Sequence, residues 1–400
     1  MRWSVKPLAD VADFRLGKML DEKKNRGEPL PYLANINVRW GEFDLDGLRE
    51  MRFEHDEMEQ YGLRYGDIVM CEGGEPGRCA LWKDQLPGLM IQKALHRIRP
   101  HKCLDSSFLY YSFLHLGSRS AFAPLFTGAT IKHLPREKLA KVEIAFPSLE
   151  IQRRIADILS AYDDLIENNR RRMALLEDAA RQLYREWFVR LRFPGHEHTP
   201  ITNGVPEGWE RKALGELTDF RLGKMLDQNK NKGDLMPYLA NLNVRWGEIS
   251  LHNLREMRFE DNELDAFGLK YGDIVMCEGG EPGRCAIWKE QFPKMMIQKA
   301  IHRIRAHADV SYLFLYYSLR HKVQSGQMAM LFTGATIKHL PREKLALVRL
   351  DVPSARLMAL FAEYVDPLER QIALLENANR RASETRDLLL PRLMSGEIAV

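Results

Sequence analysis

The feature that most constrains this chain is that it repeats itself. Residues 3–148 return 206 positions later without a gap: 14–21 comes back as 220–227, and 125–140 comes back unchanged as 331–346. Copies this alike fold alike and should bind the same thing twice. A charged segment with helical period follows each copy, so the order is module, helix, module, helix. That is the layout of two equal heads on a spacer.

Within 400 residues the repeat defines two modules of roughly 150 residues, each large enough to bury its own core. Apolar content of 45% and charged content of 28% suit a soluble globular protein, and a formal charge of +4 permits a nucleic-acid partner without requiring one. No run approaches the length of a membrane span, and no apolar signal core follows the first charges, so the expected location is cytoplasmic, with no membrane partner. Cys71 and Cys79 recur as Cys277 and Cys285, while Cys103 is replaced by Asp309. This spacing is not that of a zinc knuckle, and the thiols read as small buried side chains on neighbouring hairpin strands.

Each module is rich in short strand-like runs. Ile68, Val69, Met70 and Cys71, then a Gly/Pro cluster, then Cys79, Ala80 and Leu81 predict a hairpin with an exposed tip. Asp105 ahead of an apolar stretch from Phe108 predicts a capped helix. Strands and helices without strict alternation indicate an α+β domain. From Leu149 the apolar residues fall at three- and four-residue steps through Ile155, Leu159, Ile166, Leu176, Leu183 and Trp187, which predicts one amphipathic helix of about 40 residues. Leu357, Phe361, Val365, Leu368, Ile372 and Leu375 supply a second stripe, and only another helix could bury the first. The two helical segments differ by indels totalling one heptad, which preserves a coiled-coil seam. A turn-rich connector containing His196 and His198 lies between the halves and reads as solvated loop.

The chain has no phosphate-binding loop with its lysine and hydroxyl, no nucleophile elbow, no zinc-protease helix, no dinucleotide fingerprint and no base-gripping Pro-Pro-aromatic segment. The modules instead carry polar residues able to read nucleic acid. Arg15 and Lys18 (Arg221 and Lys224) flank a glycine that would let backbone approach a partner. Asn35, Asn37 and Arg39 (Asn241, Asn243 and Arg245) are spaced by two, which on a strand puts them on one face; Asn suits adenine and Arg suits guanine. At the hairpin tip, Glu72, Glu75 and Arg78 (Glu278, Glu281 and Arg284) offer a cytosine acceptor and a guanine or phosphate donor. Gln92, Lys93 (Lys299), His96 and Arg97 follow, and Thr127, Thr130, Lys132 and His133 (Thr336, Lys338 and His339) form a further polar loop. Trp40 and Trp82 read as core. Three other readings stay open: a free-standing two-headed DNA-binding scaffold, an enzyme with an unfamiliar site, and an RNA binder.

Over essentially its full length the chain resembles the specificity (S) subunits of type I restriction-modification systems. The likeness is carried by residues 146–160, similar to the start of that family's first conserved helix, by 388–398, similar to its C-terminal signature, and by 66–78, similar to the central hairpin of one class of its target-recognition domains. Residues 353–357 lack the Gln-Arg-Arg pattern found after Pro147, so the two helices are not strictly symmetric.

The resemblance implies two tandem, nearly identical α+β target-recognition domains, at 1–148 and 209–353. It implies conserved spacer helices at 149–192 and 354–400, paired as an antiparallel coiled coil, with a linker at 193–208. It also implies a non-catalytic subunit whose two domains each read half of a bipartite double-stranded DNA site. The helices would dock two methyltransferase subunits, which bring the S-adenosylmethionine, and restriction subunits would join them; this chain itself would bind no cofactor. The repeat adds an expectation of its own: equal heads related by a two-fold axis read a gapped, nearly palindromic site.

Overall fold

The computed structural model describes residues 3–21, 23–227 and 229–400. The chain divides into two compact units, Met1–Asn169 with Ala378–Val400, and Arg170–Asn377. Each unit holds one module and a stretch of both long helices.

In the first unit, Ser4–Pro7 pairs antiparallel with Glu143–Phe146 and so brings the two ends of the module together. Between them lies an antiparallel four-stranded sheet in the order Ala12–Leu16, Leu95–Pro100, Ile68–Cys71, Cys79–Leu81. The central Ile68–Cys71 strand is an unbroken apolar run because both of its faces are covered. Ile68, Met70 and Ile98 pack against Phe108, Leu109 and Phe113 of the Ser106–Ser118 helix. Val69 and Cys71 pack the other way, against Leu33, Val38, Trp82 and Ile91. Asp105 caps the helix by accepting from the Phe108 amide at 3.0 Å. A smaller sheet sets Glu28–Leu33 between Arg49–Phe53, antiparallel, and Met90–Ile91, parallel. The second unit repeats these strands in the same order. Cys71, Cys79, Cys277 and Cys285 are buried free thiols on the hairpin strands.

The first long helix runs Leu149–Tyr184, with a π turn at Arg185–Val189, and the second runs Ala355–Met394. Within the first unit the two lie antiparallel: Asp163 meets Arg386, and further along Asn169 donates to Asn379 at 2.8 Å. Ile155 and Leu159 of one helix and Leu390 and Leu393 of the other close the module's core. In the second unit, Tyr184 and Trp187 lie against Phe361 beneath Phe314 and Tyr317. Among the described residues no helix is long and apolar enough to cross a membrane.

The two units differ in the charges they bury at their helix faces. In the first, the Tyr111 hydroxyl donates to Asp163, which also holds Arg386. In the second, Tyr317 and Lys289 converge on Glu369 at 2.6 and 2.9 Å. One heptad on, burial together with Glu248, Glu369 and Glu177 pushes the Glu376 carboxyl up to about 7, partly opposed by Lys289. The folded state therefore favours the protonated form. Its stabilising contribution is full below the ordinary value of 4.5 and is lost as pH rises through 7. Glu376→Gln is expected to melt above the native chain at pH 8, by on the order of 2 kcal/mol, and to match it near pH 5. Equal melting at both pH values would contradict this placement.

Candidate nucleic-acid interface

Three segments far apart in sequence form one polar platform in each module. The first is a 3-10 turn at Asn35–Asn37 with the loop through Trp40, the second is the hairpin tip from Glu72 to Arg78, and the third is the loop from Thr127 to His133. Arg78 pins the first two. Its Nη2 donates to the Asn35 carbonyl at 2.8 Å and its Nη1 to Glu75 at 2.7 Å, while Trp40 Nε1 donates to the other Glu75 oxygen at 3.2 Å. The third loop is tied to the tip by a Gly73–His133 bridge, by the Leu134 amide donating to the Glu72 carbonyl at 2.7 Å, and by a 3.0 Å contact between His133 Nδ1 and Glu72. Beneath them, buried His96 holds the Leu134 carbonyl through Nε2 at 2.9 Å, and burial keeps its ring below the ordinary histidine pKa. Gly74 has φ +82°, and a Cβ there would stand 2.6 Å from Asn35 Nδ2, so glycine lets the tip close onto the turn.

The second module reproduces these contacts. Arg284 donates to the Asn241 carbonyl at 2.9 Å and to Glu281 at 2.6 Å, Trp246 to Glu281 at 3.1 Å, and His339 lies 3.0 Å from Glu278. Across the three loops the two modules differ at one residue, Ile36 against Leu242, and both side chains are exposed.

Thr130, Lys132 and Lys93 stand exposed on or beside the platform, as do Thr336, Lys338 and Lys299. Arg39 is exposed and 3.7 Å from Asp44; its counterpart Arg245 is exposed too, but Ser250 replaces the carboxylate. Arg15 and Arg221 lie exposed on the edge strand of the larger sheet, where Arg15 donates to Gln60 at 2.7 Å.

Several expectations need correction. Asn35, Asn37 and Arg39 do not share the face of a strand. Asn37 accepts from the Ala34 amide at 3.0 Å and donates to the Asp44 carbonyl at 3.1 Å, and this local capping folds the segment into a 3-10 turn. Asn243 does the same with Ala240 and Ser250 and is buried, so Asn37 and Asn243 staple the turn. Lys18 and Lys224 are drawn inside. Lys18 Nζ donates to the Arg52 carbonyl at 2.9 Å, pairs with Glu57 and lies 5.1 Å from the Phe53 ring centre; Lys224 repeats this with Arg258, Glu263 and Phe259. A partly buried amine needs such partners. The close approach at Gly17 is to the chain's own Ile91 and Gln92 carbonyls. Trp82 joins the core, but Trp40 is 41% exposed because its ring nitrogen reaches out to Glu75.

Residue-level reasoning missed Arg99 and Arg136, which line a cleft with Arg15 and Arg97. Alternate arginines on the strand 95–100 were the available signal.

A family model described as the type I restriction modification DNA specificity domain matches residues 1–178. The chain is 24% identical to the MjaIX specificity subunit of Methanocaldococcus jannaschii, over all of this chain and 94% of that one. It is 23% identical to the MjaVIII specificity subunit of the same organism, over all of this chain and 93% of the relative. Its fold matches the crystal structure of the type I restriction-modification S subunit from M. genitalium, with a TM-score of 0.58 at 18% identity over 98% and 96% of the two chains. Residues 1–178 thus match the DNA specificity domain of type I restriction-modification systems, and the whole chain is similar to their specificity subunits.

Proposed function

We propose that each module reads one half of a bipartite DNA site and that the two halves form a gapped, nearly palindromic sequence. The chain is a specificity subunit, so the chemistry of the system falls to its partners. The observation that carries the reading is the three-loop platform, built from the same contacts in both modules and differing at a single exposed residue. Exposed Thr130, Lys132 and Lys93 surround Glu72, Glu75 and Arg78, which gives each platform donors and acceptors for base edges and for phosphates. Identical readers on opposite strands select the same short sequence twice, inverted. Ile36 and Leu242, both branched and apolar, suit a thymine methyl and are the position at which the half-sites could differ.

In this proposal the two long helices dock two methyltransferase subunits and set the gap between half-sites. Those subunits carry S-adenosylmethionine and take the target adenine out of the duplex, and restriction subunits complete the assembly. The test is to co-express the chain with its methyltransferase subunit and map N6-methyladenine at base resolution. A gapped inverted repeat is the expected result. An asymmetric gapped motif would overturn the equivalence of the heads, and a folded complex that methylates nothing would overturn the reading itself.

A further inference from the structure

Beside the platform, the first module opens a cleft of about 410 Å³ lined by Arg15, Arg97, Arg99 and Arg136, with Asp13 and Phe14. Arg15 faces Arg97 directly across the strand pair, and Asp13 faces Arg99, so these side chains emerge on one face. Like charges set opposite each other destabilise a sheet. Asp67 and Asp13 offset the four guanidiniums in part, and Glu59 also acts on Arg99. Asp67 is taken up by a two-pronged bond to Arg99, 2.7 Å on each arm, and exposed Asp13 lies 3.4 Å from His101.

Arg97 and Arg99 are each fixed by several hydrogen bonds, and Arg15 and Arg136 are held more loosely. Arg97 is 8% exposed, with Nη1 on the carbonyls of Glu59, Gln60 and Gly62, and its buried Nε has no hydrogen-bond partner. The Arg136 guanidinium lies 5.3 Å from the Phe14 ring centre, and no hydrogen bond from it is found among the described residues. Arg15 is braced by Gln60.

Two of the cleft arginines are near neighbours in sequence of residues that hold the platform. Arg97 follows His96, which holds the Leu134 carbonyl, and Arg136 comes three residues after His133. The second module keeps every charge as Arg221, Arg303, Arg305, Arg342, Asp219 and Asp273, although Ala9 and Ala12 become Gly215 and Thr218. There too Arg221 faces Arg303, Arg342 lies 5.3 Å from the Phe220 ring centre, and the Arg303 Nε is buried without a partner.

We propose that this arginine cluster, present once in each module, seats a backbone phosphate of the DNA flanking the half-site, an inference that rests on the modules being DNA readers. Planar guanidiniums fixed around an opening match the two free oxygens of a phosphodiester, and such a contact positions the duplex without reading its sequence. The test measures the affinity of the complete methyltransferase complex for its own site across a range of salt concentrations. The variants are Arg136→Gln with Arg342→Gln, and separately Arg15→Gln with Arg221→Gln.

Each double variant removes part of one phosphate contact per module, so the slope of log affinity against log salt should shrink by up to about 1.8. The methylated sequence should stay the same, and Arg136→Lys with Arg342→Lys should keep most of the slope. An unchanged slope in both glutamine pairs, or a change of recognised base, would overturn the proposal. Loss of methyltransferase subunits at an unchanged slope would assign the cleft to a protein partner instead, which also overturns it. A native complex that discriminates no DNA sequence would be a failure of the DNA-reading assignment, seen before any variant is made.

Discussion

Alanine at both Arg78 and Arg284 is expected to lower specific DNA binding by about a thousandfold while leaving the chain folded. Each guanidinium joins the 3-10 turn to the hairpin tip through a carbonyl and a carboxylate, and each is only 15% and 20% exposed in its side chain. Removing it frees the Asn35 or Asn241 carbonyl and lets Glu75 or Glu281 swing. A well-made base contact discriminates by about 1–3 kcal/mol, so loss of order in two platforms amounts to about 4 kcal/mol. Lysine should not rescue, because one ammonium cannot span both acceptors as the planar fork does. The check is affinity for specific against scrambled duplex, together with the methylation map. Native discrimination in the double alanine variant would show that the platform does not read the site.

Glu177→Ala is expected to destabilise the second unit by about 3 kcal/mol, enough to lower its melting temperature by several degrees. Glu177 pairs with Arg320, whose side chain is 5% exposed and which also donates to the Tyr316 hydroxyl at 2.8 Å and lies 5.9 Å from a Trp246 ring centre. Without the carboxylate a guanidinium stays buried with its charge unmatched. The first unit shows the alternative, since its counterpart of Arg320 is Leu114, packed against that unit's core. Arg320→Leu added to Glu177→Ala should therefore recover most of the loss. A double-mutant cycle by thermal melting decides it. A single variant that melts like the native chain, or a double variant that recovers nothing, would be the contrary result.

The contrast between Arg320 and Leu114 shows what near-identity of the modules does and does not imply. The platforms are the same because their loops are the same. The faces turned to the helices share one contact, Tyr111 with Asp163 and Tyr317 with Glu369, and differ where Arg320 of the second module meets Glu177. An internal duplication can keep its reading surface while each copy settles on its own segment of helix.

Much of this was legible from local pattern alone. The repeat, the Ile68–Cys71 and Cys79–Leu81 hairpin, the Asp105-capped helix and the two long helices are set by neighbours a few residues apart, through side-chain period, turn residues and caps. The site was legible only as a set of polar loops. Asn35, Asn37 and Arg39 have the spacing of a strand, yet the Asn37 amide capping Ala34 folds them as a turn. Lys18 has the look of a surface charge, and its burial depends on Glu57, 39 residues further on. Trp40 has the composition of core, and its exposure depends on Glu75, 35 residues further on.

The sequence by itself determined that there are two equal modules, which elements they contain and which family they resemble, because periodicity and repetition are properties of the chain's own order. Only the tertiary structure decided which loops meet, which charges are spent inside the fold and where four arginines gather. Those outcomes follow from hydrogen bonds and burial between residues tens of positions apart, and no local pattern encodes them.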